Sequence, residues 1–356
     1  MGFQKNYFSA KNKFLKLVNN ANFDEVIEIK VEGTDPEGND LTTVIAIKSP
    51  KAKKILIHSS GVHGVEGFAG SAVQCKLIET MDEWINEDIC VIFIHIVNPW
   101  GMAWKRRVNQ NNVDLNRNFI IEGTHEGIPD YYENISPWLN KNTPPKFSDF
   151  YWINAILLLI KYGNSNLKQC IAEGQYENKK GIFYGGKKLE MEFKNILNSI
   201  GNIPQNKEFG LIIDFHTGLG KFGIDSLIVS EEGAGFEINE LKEFFGSKIE
   251  EASTEGVSYS NRGGYPEGMM ASWKNVKWAA ITQEFGTFGE KGMLKTMIEE
   301  NRLSHWSKLT ERELLDHPIR IKFANSFNPQ NEKWQRMIIE EGANLFKKGI
   351  KFLNSK

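Results

Sequence analysis

Apolar segments that look like strands alternate with segments that look like helices along most of this 356-residue chain. This alternation restricts the possible folds more than any other feature. Strand-like runs lie at 54–58, 91–97, 211–215, 226–229 and 278–283. Helix-like patterns lie near 68–82, 149–163, 186–200, 236–253, 291–302 and 330–353. The pattern predicts an α/β fold with a mixed, mainly parallel central sheet flanked by helices on both faces.

The ends of the chain and one internal segment decide the domain organisation. Residues 4–19 predict an amphipathic helix, and the strand-like runs 25–33 and 41–48 predict a hairpin around a turn-rich segment. Residues 120–148 are rich in Pro, Gly, Asn and aromatic residues. Because the alternation resumes after them, we interpret this segment as an excursion from one domain. We therefore expect a single domain over residues 1–356.

Composition limits the environment and the partners. The net charge of −2 gives no reason to expect nucleic acid or an anionic membrane as a partner. Three cysteines, an odd number without paired spacing, argue against a disulfide framework. The aliphatic run at 155–160 is too short to cross a bilayer, and the N-terminus lacks the apolar core of a signal peptide. We expect a cytoplasmic protein, whose oligomeric state the sequence leaves open.

Four strand-like runs are followed by residues that can carry chemistry. In open α/β sheets, ligands bind beyond the carboxyl ends of the strands. The residues at these positions are His63 and Glu66, then Arg106, Arg107, Asp114, Asn116 and Arg117, then His216, and finally Glu284. Each has an ordinary structural explanation by itself, such as a core histidine, a solvated basic turn or a helix cap. Their coincidence at four strand ends predicts a site.

These residue types fit metal-assisted hydrolysis. Two histidines and one carboxylate form a known catalytic zinc set that leaves one coordination position open. His63, Glu66 and His216 could supply that set, and Glu284 could act as general base. Arg106 or Arg107 could stabilise an oxyanion.

Two further roles follow from the same reasoning. Asn116 and Arg117 could hold a substrate carboxylate, since arginine presents a bidentate fork. Asp214 could orient a metal ligand, or could equally be a strand-end carboxylate with other partners.

The segments "HGVE", "VDLNRNF", "DFHT" and "QEFGTFG", in this order, resemble the zinc carboxypeptidase superfamily. That superfamily includes metallocarboxypeptidases and the aspartoacylase and succinylglutamate desuccinylase deacylases. The stretch "HSSGVHGVEGFAGSA" is most similar to an uncharacterised bacterial branch that is described as a domain of unknown function. The resemblance covers about residues 50–295 and implies a zinc carboxypeptidase-like catalytic domain with an added N-terminal helix and hairpin and a C-terminal helix.

The resemblance implies a role for each matching position. His63, Glu66 and His216 match the ligands of one Zn²⁺ per chain, and Glu284 matches the catalytic glutamate. Asn116 and Arg117 match the pair that holds the substrate's carboxylate, and Arg107, in preference to Arg106, matches the oxyanion arginine.

The segment "YPEGMMASW" resembles the part of the peptidases that lines the specificity pocket. The match places Tyr265 in its first position and a mobile, substrate-contacting tyrosine nearer Tyr259. It also places Ala271 at the pocket floor, which implies a preference for an apolar or small side chain.

Three functions remain open. A metallocarboxypeptidase that releases a C-terminal amino acid from a peptide predicts a cleft that stays open on the acyl side. A deacylase of N-acyl amino acids predicts a closed pocket, capped by residues 120–148. A non-catalytic module that binds peptide or metal is disfavoured, because the ligands, the anchoring arginine and the general base are all present.

Overall fold

A computed structural model describes residues 2–230, 235–246, 248–251 and 262–356. Its centre is one sheet whose eight strands are β1 (Glu25–Thr34), β2 (Asp40–Lys48), β3 (Lys54–Ser60), β4 (Ile89–His95), β5 (Phe209–Phe222), β6 (Asp225–Val229), β7 (Ile249–Glu251) and β8 (Lys277–Gly286). The strand order is β1-β2-β4-β3-β5-β8-β6-β7. The four central strands β4, β3, β5 and β8 are parallel, whereas the hairpin β1–β2 and strand β6 add antiparallel pairs. The predicted mixed, mainly parallel sheet is confirmed.

The helices in the described residues are α1 (Tyr7–Asn20), α2 (Gly67–Glu79), α3 (Pro99–Ala103), α4 (Tyr132–Leu139), α5 (Tyr151–Tyr162), α6 (Asn164–Ala172), α7 (Met191–Ile200), α8 (Ile238–Phe245), α9 (Tyr265–Ser272), α10 (Glu290–Trp306), α11 (Glu311–Leu315), α12 (Pro318–Phe327) and α13 (Glu332–Asn354). The predicted N-terminal helix, the hairpin and the C-terminal helix are all present. No helix in the described part of the chain is both long and apolar enough to span a membrane.

Helices cover both faces of the sheet, because alternate residues of the buried strands point to opposite sides. On one face Leu56 and Phe93 of the sheet pack with residues of α1, α2, α8 and α13, such as Phe346. On the other face Ile57 and Ile92 pack with residues of α7 and α9. The prediction of helices on both faces is confirmed.

A third apolar cluster lies apart from the sheet. It contains Ile135 of α4, Leu167 of α6, Met297 of α10 and Phe327 of α12, and α5 packs against its edge. The segment 120–148, which has only loop-like composition, therefore includes one helix of this cluster. This helical layer forms one wall of the site described below.

Three sequence-based boundaries are wrong. The helix predicted over 236–253 ends at Phe245, and the edge strand β7 follows it. Strands β5 and β8 continue past His216 and Glu284, so these two residues lie inside strands rather than after them. The physical reason is that the small and polar residues beyond the apolar runs still form ladder hydrogen bonds, which an apolar pattern does not reveal.

Candidate metal and substrate site

A tight turn after β3 carries the first two site residues. His63 precedes a short 3-10 helix (Gly64–Glu66) that leads directly into α2. The backbone N–H groups of Gly64 and Val65 donate to the carbonyls of Arg107 and Arg106, at 3.1 and 2.8 Å. A side chain at Gly64 would place its Cβ 2.2 Å from the backbone of Gly101, so only glycine permits this close contact.

Strand register brings the other two site residues together. His216 of β5 and Glu284 of β8 are direct partners in the parallel ladder. Side chains of paired residues on neighbouring strands project from the same face of a sheet. Both residues are buried, and Glu284 Oε1 accepts a hydrogen bond from the Leu219 N–H at 2.9 Å.

The side chains of His63, Glu66 and His216 converge on one point. His63 Nδ1 lies 2.9 Å from Glu66 Oε1 and 3.2 Å from His216 Nδ1. His216 Nδ1 lies 3.2 Å from Glu66 Oε2. The ligand atoms of all three lie within 4.8 Å of one another, and no other such group of His, Cys, Asp and Glu occurs among the described residues.

A carboxylate stands behind each histidine. Asp114 Oδ1 lies 3.1 Å from His63 Nε2, and Asp214 Oδ2 lies 2.6 Å from His216 Nε2. Carboxylates that bind the second ring nitrogen of a metal-ligating histidine fix its orientation and raise its basicity. Asp214 thus occupies the place expected of an orienting residue. Asp114 has the same relation to His63.

Burial and neighbouring charges set the pKa values of this group. Burial raises the pKa of Glu66, but His63 and His216 outweigh it and lower that pKa to about 2. Burial opposes protonation of His216, but the Asp214 carboxylate holds its pKa well above the usual value. Burial, followed by repulsion from Glu66, raises the pKa of Glu284 to about 8.

The donor set fits a divalent metal ion. Two imidazole nitrogens and one carboxylate face one another, and the second ring nitrogen of each histidine lies against an aspartate. Two histidines and one carboxylate are a known set of zinc ligands. A cation among them would also offset the repulsion between Glu66 and Glu284. His63, Glu66 and His216 are therefore the residues that would hold the metal.

The two adjacent arginines point in different directions. Arg107 lines the cavity, where its Nε donates to Asp114 Oδ2 at 2.9 Å and its Nη1 lies 3.8 Å from Glu66 Oε1. Arg106 instead pairs with Glu300, at 3.1 Å, and with Glu311, at 3.8 Å. The alternative assignment of the oxyanion role to Arg106 is corrected on this ground, because its guanidinium is committed to an ion cluster outside the cavity.

Asn116 and Arg117 both line the cavity, and Arg117 is fully buried. Asn116 Oδ1 accepts the Tyr265 N–H of α9 at 2.8 Å. The Arg117 Nε donates to the Ala172 carbonyl of α6 at 2.7 Å. The pair therefore ties together the two helices that stand on opposite sides of the cavity.

Tyr265 and Ala271 lie elsewhere than the resemblance implied. Tyr265 is fully buried, packs against Phe119 and Phe193, and is not among the cavity residues, so its role in substrate binding is corrected. As the first residue of α9, it points towards the sheet. Tyr259 lies outside the described residues. Ala271 does not line the cavity either.

The cavity has a volume of about 340 Å³, and its lining comes from two parts of the fold, which we call the sheet end and the helical end. The sheet end runs along β8 and β6 beneath α9 and is lined by Ile228, Ser230, Pro266, Glu267, Ala280 and Thr282. The helical end is lined by Trp138, by Tyr151, Trp152, Ala155, Ile156 and Leu159 of α5, by residues of α6 that include Leu167 and Ile171, and by Met293, Leu294, Met297 and Phe327. The metal-ligating group and Glu284 line the same cavity.

The residues that form these walls are hard to identify from sequence patterns. The aliphatic run at 155–160 lies in a segment whose pattern predicts a helix, but that pattern does not indicate a cavity wall. Glu267 lies within "YPEGMMASW", but the gapped match pointed to Ala271 instead.

Comparison with solved structures finds metallocarboxypeptidases among the similar folds. Carboxypeptidase A from Helicoverpa armigera is 14% identical, with a TM-score of 0.44, covering 96% of this chain and 74% of that one. The metallo-carboxypeptidase from Burkholderia cenocepacia is 11% identical, with a TM-score of 0.37, covering 94% and 69%. The Pseudomonas aeruginosa metallo-carboxypeptidase, in complex with (2-guanidinoethylmercapto)succinic acid, is 13% identical, with a TM-score of 0.36, covering 95% and 69%.

Comparisons at the level of sequence give one match. No curated protein matches the chain. A family model matches residues 3–341, which is nearly the whole chain. The chain therefore belongs to the family described as "Protein of unknown function (DUF2817)".

Proposed function

We propose that this protein is a zinc-dependent hydrolase that cleaves an amide bond next to a free carboxylate, first of all as a metallocarboxypeptidase. The supporting observation is that the ligand atoms of His63, Glu66 and His216 converge in the same cavity that Glu284 and Arg107 line. A general base, a positive group for a developing oxyanion and a metal-ligating set are the components of metal-assisted hydrolysis.

Each residue has a defined role in the proposed reaction. A divalent metal at His63, Glu66 and His216 would polarise the amide carbonyl and activate water. Glu284 takes the proton of the attacking water and passes it to the leaving nitrogen. The Leu219 N–H fixes one oxygen of Glu284 while it does so. Arg107, oriented by Asp114, stabilises the negative charge that develops on the carbonyl oxygen.

Asn116 and Arg117 are proposed to bind the substrate's free carboxylate. Both line the cavity, and a buried guanidinium interacts strongly with a carboxylate. The sheet end, with Ser230, Thr282 and Glu267 among its lining, would then receive the side chain of the released amino acid. The helical end would receive the acyl side of the scissile bond.

A deacylase of N-acyl amino acids is the second candidate. The observation that favours it is the helical wall on the acyl side, to which α4 contributes Trp138 and α5 and α6 contribute most of the rest. Such a wall limits the space for an extended peptide. The machinery that cleaves the amide would be the same in both reactions.

A mixed substrate library distinguishes the two candidates. Zinc-loaded protein would be incubated with short peptides that end in each amino acid, together with N-acetyl, N-succinyl and longer-chain N-acyl amino acids. Mass spectrometry with a chelator control would follow the products. Chelator-sensitive loss of one C-terminal residue indicates a carboxypeptidase, and release from N-acyl amino acids alone indicates a deacylase. Silence on every substrate would contradict the proposed function.

Replacement of the general base tests the mechanism. For Glu284→Gln we expect retained zinc and a kcat lowered by about 10²-fold or more, the scale of general-base loss. Glutamine keeps the size of the side chain and can still accept the Leu219 N–H. Near-normal turnover in this variant would place the base elsewhere.

A further inference from the structure

We propose that the helical end of the cavity binds a long apolar acyl chain, so that the preferred substrate is an amino acid whose nitrogen carries a fatty acyl group. This inference rests on the proposed hydrolase function, and it favours the second of the two candidates, the deacylase, by specifying its acyl group.

The main feature of the helical end is the apolar surface of helix α5. Its sequence, YWINAILLLIKY, is apolar at nearly every position, yet none of its residues is buried. Tyr151, Leu158 and Tyr162 attach it to the neighbouring apolar cluster. The face next to that contact, with Trp152, Ile156 and Leu159, lines the cavity.

This wall exposes apolar surface where a ligand would cover it. Trp152, Ile156 and Leu159 are 49%, 55% and 41% exposed, although they line the cavity that holds the metal-ligating group. Contiguous apolar surface of this kind marks a binding site more often than a free surface. Covering it with a hydrocarbon chain removes that area from water.

The rest of the helical end has the same character. Leu167, Ile171, Met293, Met297 and Phe327 continue the apolar lining from the helix wall towards the metal-ligating group. Methionines suit a flexible hydrocarbon chain because their side chains adapt to irregular shapes. Lys168 and Asn164 are the polar residues that α5 and α6 contribute to the described lining.

The extent of the wall sets a minimum chain length. The cavity-facing positions of α5 run from Tyr151 to Leu159, eight residues apart, which corresponds to about 12 Å along the helix axis. An acetyl or succinyl group would leave most of this length uncovered. A fatty acyl chain that extends from the scissile carbonyl along α5 would cover it.

The reaction is an ordinary hydrolysis with water as co-reactant. The bond between the acyl carbon and the amino acid nitrogen breaks. The hydroxyl of water goes to the acyl carbon and yields a fatty carboxylate, and the proton passes through Glu284 to the nitrogen of the released amino acid.

A chain-length series tests this assignment. N-acetyl, N-hexanoyl and N-dodecanoyl derivatives of one amino acid would be hydrolysed by zinc-loaded protein below their micelle concentrations. Each buried methylene adds up to about fourfold to kcat/KM, so we expect a rise of at least about 30-fold from acetyl to dodecanoyl. Equal kcat/KM values across the series would overturn the inference and leave the proposed function intact.

Two leucines of α5 give a matched pair of variants. Leu159 lines the cavity, whereas Leu157 is 59% exposed and is not among the lining residues. Glutamine preserves helix propensity at both positions. We expect Leu159→Gln to reduce the preference for dodecanoyl over acetyl by about tenfold, the loss of one to two buried methylenes. Leu157→Gln should leave it unchanged, and equal effects in the two variants would contradict the assignment.

A binding measurement distinguishes a failure of this inference from a failure of the proposed function. If no substrate is hydrolysed, the proposed function fails, and calorimetry with the Glu284→Gln variant then decides the inference. N-dodecanoyl amino acid should bind at least about 30-fold more tightly than its N-acetyl counterpart. Equal affinities would overturn the assignment of the helical end.

Discussion

Arg106 and Arg107 are neighbours in the chain but belong to two different clusters of charged side chains. We call the first the structural ion cluster, which consists of Arg106, Glu300, Glu311 and Arg320. We call the second the metal-site cluster, which consists of His63, Glu66, Arg107, Asp114, Asp214, His216 and Glu284.

The two clusters differ in their balance of charge. In the structural ion cluster two arginines face two glutamates, and Glu300 lies within 3.1 Å of both guanidinium groups. Burial raises the pKa of Glu300, but Arg106 and Arg320 outweigh it and the net pKa is lowered. In the metal-site cluster the pKa of Glu284 is instead raised to about 8, by burial and by Glu66. Removal of one partner from the first cluster is therefore expected to lower stability, whereas a cation bound in the second would reduce the repulsion between Glu66 and Glu284.

The largest expected effect is on metal binding. His63→Ala and His216→Ala each remove one imidazole from the ligand set, so we expect both to lose stoichiometric zinc and all chelator-sensitive activity. Metal content after equilibrium dialysis measures this. His317→Ala is the control that should keep its zinc, because His317 caps the start of α12 and is not among the residues that line the cavity. One zinc per chain in both site variants would refute the ligand assignment.

The second largest expected effect is a loss of kcat when Arg107 is replaced, which distinguishes Arg107 from Arg106. Arg107→Met removes a positive group that lines the cavity, and we expect kcat to fall by about 10²- to 10³-fold while zinc is retained. Steady-state kinetics of the zinc-loaded variant gives this value. An unchanged kcat would show that the oxyanion is stabilised by another residue.

The third expected effect is a loss of stability when Arg106 is replaced, which distinguishes Arg106 from Arg107. Arg106→Met leaves a buried glutamate with one partner fewer, and losses of about 3 kcal/mol or more in the free energy of unfolding are typical of such changes. Denaturant unfolding measures this, and kcat per folded, zinc-loaded molecule should stay near that of the parent. A fall in kcat without a loss of stability would assign the catalytic role to Arg106 after all.

How far the sequence predicts this site depends on which physical feature positions each residue. His63, Glu66, His216 and Glu284 were identifiable because parallel apolar strands bring their carboxyl ends to one edge of the sheet. The choice between Arg106 and Arg107 depends on a turn that is fixed by backbone hydrogen bonds to Gly64 and Val65. A backbone contact between residues so far apart in the chain cannot be predicted from the local sequence pattern.

Two other features could not be read from local patterns either. Tyr265 begins a helix whose first residue faces the core, so a match to a motif could not give its direction. The apolar run of α5 predicted a helix correctly, but hydropathy implies burial, and the structure leaves this helix exposed at the cavity. Apolar residues are most often buried, so a prediction from hydropathy misses those that stay exposed in the wall of a cavity.

The smallest expected effect concerns a buried carboxylate without a positive partner among its contacts. Burial raises the pKa of Glu192 to about 7, and its Oε1 accepts a hydrogen bond from Asn109. A carboxyl whose pKa is higher in the folded state binds more protons there, so stability falls as pH rises from about 4.5 to about 7. The contribution of this residue is at most about 3 kcal/mol.

Glu192→Gln should remove this part of the pH dependence. Unfolding free energies at pH 5 and pH 8 would be compared for the parent, for Glu192→Gln and for Glu87→Gln, which replaces an exposed glutamate. We expect the first variant to lose less stability than the parent between the two pH values, and the control to match the parent. A pH dependence that is identical in all three proteins would show that Glu192 is ionised without cost.

The most direct test of the central claim is the location of the metal. Crystals of zinc-loaded protein would be measured at the zinc absorption edge, where anomalous scattering identifies the ion. We expect one peak within bonding distance of His63 Nδ1, His216 Nδ1 and the Glu66 carboxylate. A peak at other residues, or none in protein that hydrolyses its substrate, would contradict the central claim.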